Sequence, residues 1–256
     1  MSEHSTWTAL RNPVFRKLWL ASVVSGCCVS AHDMAATWVM NSLTPSPLLL
    51  SLLSTAASLP FFLLTFPAGA LADLVDRKKL LCAMHVWLAV AAGGLAVLGG
   101  LNLLNPAIIL GAVFLLGIGF ACNAPAWTSV TPEVVTKEEL PSALTLGGVQ
   151  MNLSGIIGPA LGGLLLPLVG ANTLFALNAA AFLLVIAAIQ GWRRPEEKSD
   201  VPVESLVESF VGAIRYVRYT RGIQIVLLRA FLFALLISAI PALLPVIGLR
   251  ALHLSP

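Results

Sequence analysis

Charge is what this sequence has least of. Its 256 residues include 12 Asp and Glu and 15 Lys and Arg, 11% together, against 58% apolar. A soluble globular domain carries about 25% charged residues, so a soluble enzyme with a solvated surface is close to excluded. A disordered or nucleic-acid-binding chain is excluded on the same ground. Cysteine is scarce too. Cys27, Cys28, Cys82 and Cys122 show no metal-type spacing and suggest no disulfides. No nucleotide-binding loop, metal-ligand cluster or nucleophile constellation is present. The chain therefore reads as a non-enzyme with no cofactor and no nucleic-acid partner.

What is present is a set of long stretches without charge. After Lys17 the only charge before Asp73 is Asp33; Lys79 to Glu133 and Glu139 to Arg193 contain none between them. Each of the last two gaps runs to about fifty residues, room for two spans of ~20 apolar residues and a turn. Thr44 to Pro47 separates a first span (18–43) from a second (48–72). Asn102, Asn105 and Pro106 separate a third (80–101) from a fourth (107–130). Pro167 to Asn172 separates a fifth (143–166) from a sixth (173–192), and a seventh covers 223–249. The fold class is all-α polytopic membrane protein, with the lipid bilayer as its first partner. Pro60, Pro125, Pro159 and Pro241 predict kinks.

Lys and Arg give the orientation. Arg11, Arg16, Lys17, Arg77, Lys78, Lys79, Lys137, Arg193 and Arg194 fall in alternate connections, and the three other short turns carry no charge. This positive-inside pattern predicts a cytoplasmic N-terminus (1–17), a six-helix bundle (18–192), a cytoplasmic linker (193–222), a seventh helix (223–249) and an external C-terminus (250–256). Val203, Leu206, Val207, Phe210, Val211, Ile214 and Val217 recur at helical spacing. They predict an amphipathic helix on the leaflet or a solvated linker helix. Val24 to Cys27 looks like a lipoprotein processing site, but the apolar run resumes beyond Asp33, which argues against cleavage.

Polar groups inside the spans are the candidate site. Asp33 is the one carboxylate, and placing it there costs several kcal/mol unless it is paired, hydrated or protonated. Ser30, Thr37 and Asn41 share its helical face. Asp33, with His32 beside it, is a candidate for sensing a proton or a cationic substrate group; hydration near the outer interface is the plainer alternative. His32 points about 100° away. Asn123, Gln150 and Asn152 are further candidates for a substrate pathway, with interhelical hydrogen bonding as the alternative. His85 and Trp38 read as packing or interface residues.

The segment Gly69-Ala70-Leu71-Ala72-Asp73-Leu74-Val75-Asp76-Arg77-Lys78-Lys79 closely resembles the loop between the second and third helices of the major facilitator superfamily. Leu74 stands where a basic residue is common there, and Asp76 where glycine is. Gly158-Pro159-Ala160-Leu161-Gly162-Gly163 resembles the superfamily's antiporter signature. Asn123 to Trp127, Glu138 to Pro141 and Phe175 to Phe182 look like the bacterial exporter subfamily that includes the enterobactin exporter.

The resemblance implies a six-helix bundle of the major facilitator fold plus a seventh helix. It implies proton-coupled efflux of a small molecule of drug or siderophore class across the bacterial inner membrane. Gly69, Asp73, Asp76, Arg77 and Lys78 would form a conformational gate. There glycine would allow close helix approach, and Asp73 would pair with Arg77 or Lys78 or face a helix N-terminus. Gly158, Pro159, Gly162 and Gly163 would form a thin helix-packing surface, near the junction of two halves in the family. Gly155 replaces a basic residue common in relatives, which removes any anion-binding role carried by it. The superfamily has twelve spans. The expectation is therefore a truncated exporter, a half-transporter pairing with another chain or with itself, or a non-transporting subunit. A rhodopsin-like receptor is disfavoured because the seventh span has no lysine.

Overall fold

Each uncharged stretch is helix in the computed structural model, which describes residues 7–44, 46–192, 212, 215–233 and 236. The side chains of Pro47, Phe66, Asp73 and Leu74 lie outside that description. A 3-10 turn (Thr8–Arg11) leads into α1 (Pro13–Leu43), α2 (Pro47–Leu74), α3 (Arg77–Gly100), α4 (Pro106–Val134) and α5 (Leu140–Gln190). Among the described residues there is no strand.

The helix starts are written locally. Asn12 accepts from the backbone N–H groups of Val14 and Phe15 at 3.0 and 3.3 Å, with Pro13 at the first helical position. Asn105 does the same for Ile108 at 2.9 Å, ahead of Pro106. Asp76 accepts from Lys79 N–H at 2.9 Å. Each side chain satisfies donors that the first helical turn leaves open, and proline there sacrifices no bond.

α5 holds 51 residues, about 75 Å of helix at 1.5 Å per residue. That is more than twice the ~30 Å hydrocarbon core, so it makes two crossings. The break is Gly170, with φ 77° and ψ 163°, a backbone state that β-carbons forbid. It falls inside the predicted turn and divides α5 into arms 140–169 and 171–190. Among the described residues, five helices long and apolar enough to cross a membrane thus supply six spans.

The chain divides into two compact units, Met1–Val201 and Pro202–Pro256. In the first, α1 packs along the first arm of α5, α3 packs on the second arm and on α4, and α2 packs on α4. One core cluster joins all five helices through residues such as Leu18, Ala72, Leu81, Val130 and Ile189. A second joins them through Met40, Leu53, Leu95, Ile109 and Phe175. The first holds the starts of α1 and α3 and the ends of α2, α4 and α5; the second holds the opposite ends of α1 to α4 and the middle of α5, around Gly170. The helices therefore alternate in direction. The connections carrying Arg77 to Lys79 and Lys137 meet at one end with the N-terminal basic residues, and the uncharged turns meet at the other.

In the second unit, residues 215–219 and 221–233 are helical. Gln224 donates to the carbonyls of Val217 and Arg218 at 3.1 and 2.7 Å, bridging the interruption at Thr220. The rest of the expected seventh span, and nearly all of the expected amphipathic segment, lie outside the described residues.

Candidate functional site

Six residues of α1 line a cleft of about 660 Å³ open on one side: Ser30, Asp33, Met34, Thr37, Trp38 and Asn41. At 100° per residue they occupy one arc of about 140°. Leu50 of α2 and Pro159 of α5 complete the lining. Asp33 sits ten residues before Leu43, about 15 Å along the axis from the uncharged end. Its side chain is exposed to the cleft. The Thr37 hydroxyl donates to the Asp33 backbone carbonyl at 2.9 Å, so it is not turned to the carboxylate. Among the described residues, no hydrogen bond or ion pair reaches that carboxylate.

The other predicted pathway residues are not brought there. His32 is fully buried, its ring centroid 4.7 Å from that of Phe175 in a tilted arrangement, and both ring nitrogens lack a hydrogen-bond partner among the described residues. Consecutive helical residues face different directions, which sends Asp33 to the cleft and His32 to the core. Asn123 has its carbonyl oxygen buried and unbonded among the described residues. Gln150 donates to Ser154 at 3.2 Å and to the Ser22 carbonyl at 3.4 Å, tying α5 to α1. It lines a separate cavity of about 50 Å³ with Trp19, Trp127 and Thr131. Asn152 is exposed and donates back to Gly148 at 2.8 Å. Trp38, expected as a packing or interface residue, is the one the sequence did not place at the site. It is not packed in the core but lines the cleft at 62% exposure.

At the basic end, Arg77 forms an ion pair with Glu133 of α4 at 2.6 Å, both side chains partly buried. Lys78 donates to the carbonyls of Trp192 and Gln190 at 2.6 and 3.3 Å. A lysine there satisfies carbonyls that a helix C-terminus leaves open and meets the negative end of its dipole. With Asp76 capping α3, this loop fastens α3 to α4 and to the second arm of α5. Glu133 was not anticipated. Its one sequence signal is that it is the only acid on α4. A β-carbon added to Gly69 would meet nothing within 4 Å among the described residues. The side chain of Asp73 lies outside the described residues.

The glycine motif on α5 packs against α1. A β-carbon added at Gly158 would lie 2.5 Å from Ser30 Cβ and 2.9 Å from the Cys27 carbonyl oxygen; one at Gly162 would lie 3.0 Å from Ala31 Cα. Gly26 of α1 answers from the other side, where a β-carbon would strike Ser154. Gly158 and Gly162 are buried inside the six-span unit, while Pro159 faces the cleft. Small residues on both helices let the backbones touch, which holds helices together where lipid offers no hydrophobic drive.

A model of a family described as transmembrane secretion effector matches residues 4–256. The chain belongs to that family. It is thereby an exporter-family member of the major facilitator superfamily and a multi-pass membrane protein, as the loop and glycine motifs indicated. Macrolide efflux protein A of Streptococcus pyogenes is similar at 25% identity, over 100% of this chain and 63% of the relative. The enterobactin exporter EntS of Shigella boydii serotype 4 is 30% identical, over 78% of this chain and 49% of the relative. EntS of Escherichia coli O1:K1 is 29% identical over the same shares. The chain thus spans about half to two thirds of the length of these curated relatives. They are transporters by name.

Proposed function

We propose that this chain forms the substrate-binding wall of a bacterial inner-membrane exporter that moves a small molecule by alternating access with protons as the coupling ion. The observation that carries the reading is Asp33: a lone carboxylate, inside a span, on an open cleft, with no protein partner among the described residues. An isolated charge in that setting is costly, so the site favours states in which the carboxylate is neutralised by a proton or a bound cation. Exchange of one for the other at a single group gives antiport.

The basic end supports the cytoplasmic placement of the N-terminus by the positive-inside rule. Asp76, Arg77, Lys78 and Glu133 fasten three helices there, so this end moves as one body when access switches. In this reading they act with Asp73 as the conformational gate. The open side of the cleft calls for facing helices, from a second half-transporter or a second copy of this chain. The names of the relatives support export as the direction.

The test is efflux from cells expressing the full chain, measured over a panel of fluorescent compounds with and without an imposed pH gradient. Wild type is expected to export at least one compound, and Asp33→Asn to lose the gradient-driven part by about tenfold or more. Undiminished gradient-driven efflux by Asp33→Asn would overturn the proton role. No efflux across the panel would favour a non-transporting subunit.

A further inference from the structure

We infer that the six-span unit holds a file of water inside its core, bound by His85, Asn123, Asn178 and His32, along which protons reach His32 from the direction of the basic end. The inference rests on the reading that protons are the coupling ion, and it gives them a route through the bundle that avoids the cleft. Away from the basic end, four polar atoms are buried without a hydrogen-bond partner among the described residues: both ring nitrogens of His32 and the side-chain carbonyl oxygens of Asn123 and Asn178. Asn178 is almost as fully buried as His32.

Aromatic contacts place the four side chains in one cluster. The His32 ring centroid lies 4.7 Å from that of Phe175, which precedes Asn178 by one turn on the same face of α5. Phe182, one turn after Asn178, lies 6.2 Å from His85 and 6.0 Å from Phe120 between centroids. Phe120 and Trp127 flank Asn123 on one face of α4, and Trp127 lies 6.1 Å from His85. Each asparagine is thus bracketed by rings that reach the neighbouring helices. Depth then orders the four. Leu18, Leu81, Val130 and Ile189 share one core cluster near the basic end. Counted from them along each helix, His85 lies about 6 Å deeper, Asn123 about 10 Å, Asn178 about 16 Å and His32 about 21 Å. Axial steps of about 5 Å are what one water spans with two hydrogen bonds of ~2.8 Å.

The donors and acceptors call for water. The asparagine oxygens only accept. His85 Nδ1 lies 2.8 Å from the Leu81 carbonyl oxygen; that oxygen can only accept, so a neutral ring carries its proton at Nδ1 and leaves Nε2 as an acceptor. Acceptors cannot pair with one another, and a molecule with two O–H groups joins them. Buried polar groups without a protein partner ordinarily hold ordered water. The neighbours are small: Ala89, Ala92 and Ala179 pack here, and a β-carbon added at Gly93 would sit at ordinary contact distance, 3.8 Å from Ala179 Cβ. His32 can take a proton at one ring nitrogen and release one from the other. No fixed charge holds the proton elsewhere: α3 beyond Lys79, α4 before Glu133 and all of α5 carry none. Asp33 faces the cleft, and the other ionisable groups on these helices are the half-buried thiols of Cys27, Cys28, Cys82 and Cys122.

Proton access to His32 is read as deuterium exchange of its ring N–H, by NMR on the full chain in nanodiscs with ring-labelled histidine. The chain has 4 histidines, and His32→Gln assigns the signal. Asn178→Leu and Asn123→Leu keep the volume and remove the acceptor. Each is expected to slow exchange at His32 about tenfold or more, and Asn178→Ser to keep it within about threefold. A damaged fold would speed exchange, so slowing cannot come from misfolding. Backbone amide exchange over residues 29–35 reports local opening and should stay within about twofold. Ring exchange no faster than that of those amides would overturn the inference, as would ring exchange unchanged in both leucine variants. Efflux separates the two readings. Fast exchange at His32 in a chain that exports nothing would sink the export reading alone. Gradient-driven efflux with ring exchange no faster than the amides would sink this inference alone.

Discussion

The two ends of the six-span unit treat charge in opposite ways. At the basic end, part of the charge is bound within the fold, Arg77 to Glu133, Lys78 to the carbonyls closing α5 and Asp76 to the first turn of α3, and Arg16, Lys17, Lys79 and Lys137 are exposed around it. Toward the other end a single carboxylate, Asp33, faces open space. Charge that ties three helices together at one end, and a carboxylate left bare inside a span toward the other, point to structure at the first and ligand at the second. Charge in contact with other protein groups stabilises; charge held away from them is available to something that comes and goes.

The largest effect is expected where both ends depend on one contact, the crossing of α1 and α5. Gly158→Ala places a β-carbon against Ser30 Cβ and a backbone oxygen, neither of which yields easily. It should cost about 1–3 kcal/mol, read as a lowered Tm in detergent. Gly155→Ala, three residues away with nothing within 4 Å, should leave Tm unchanged or slightly raised. Equal effects would break the assignment of the crossing.

Next comes the ion pair. Arg77→Ala and Glu133→Ala, each about a quarter exposed, should lower stability by about 1–2 kcal/mol, less than a fully buried pair would. The double variant should cost less than the sum, showing coupling. Lys78→Met should cost about 0.3–1 kcal/mol, the usual worth of a cation at a helix C-terminus. The smallest effect on stability belongs to Asp33→Asn, expected within about 0.5 kcal/mol of wild type because no contact is lost. A large loss there would erase the contrast between the ends, since it would mean that Asp33 is held by the fold.

Much of this was legible in the chain itself. Charge-free stretches from Lys79 to Glu133 and from Glu139 to Arg193 set the helical hairpins. Asn12-Pro13 and Asn105-Pro106 mark helix starts, and Gly170 breaks the longest helix inside the turn that Pro167 to Asn172 predicts. Pro167 itself is absorbed into the helix. The separation of Asp33 from His32 also follows from helical geometry. Glu133 as the partner of Arg77 was not legible, because the two are 56 residues apart and no local pattern joins them. Nor was Lys78 as the closing group of α5, across 114 residues.

What the sequence alone determined is where the chain leaves water and where it turns, because lipid rejects charge and unpaired backbone residue by residue, without reference to neighbours. What the tertiary structure decided is which faces meet. Gly158 seats on Ser30, Gln150 reaches Ser22, Arg77 finds Glu133, and Trp38 joins the wall of a cleft. Those pairings depend on how helices rotate about their axes when their backbones come into contact, and small residues on both sides set that rotation.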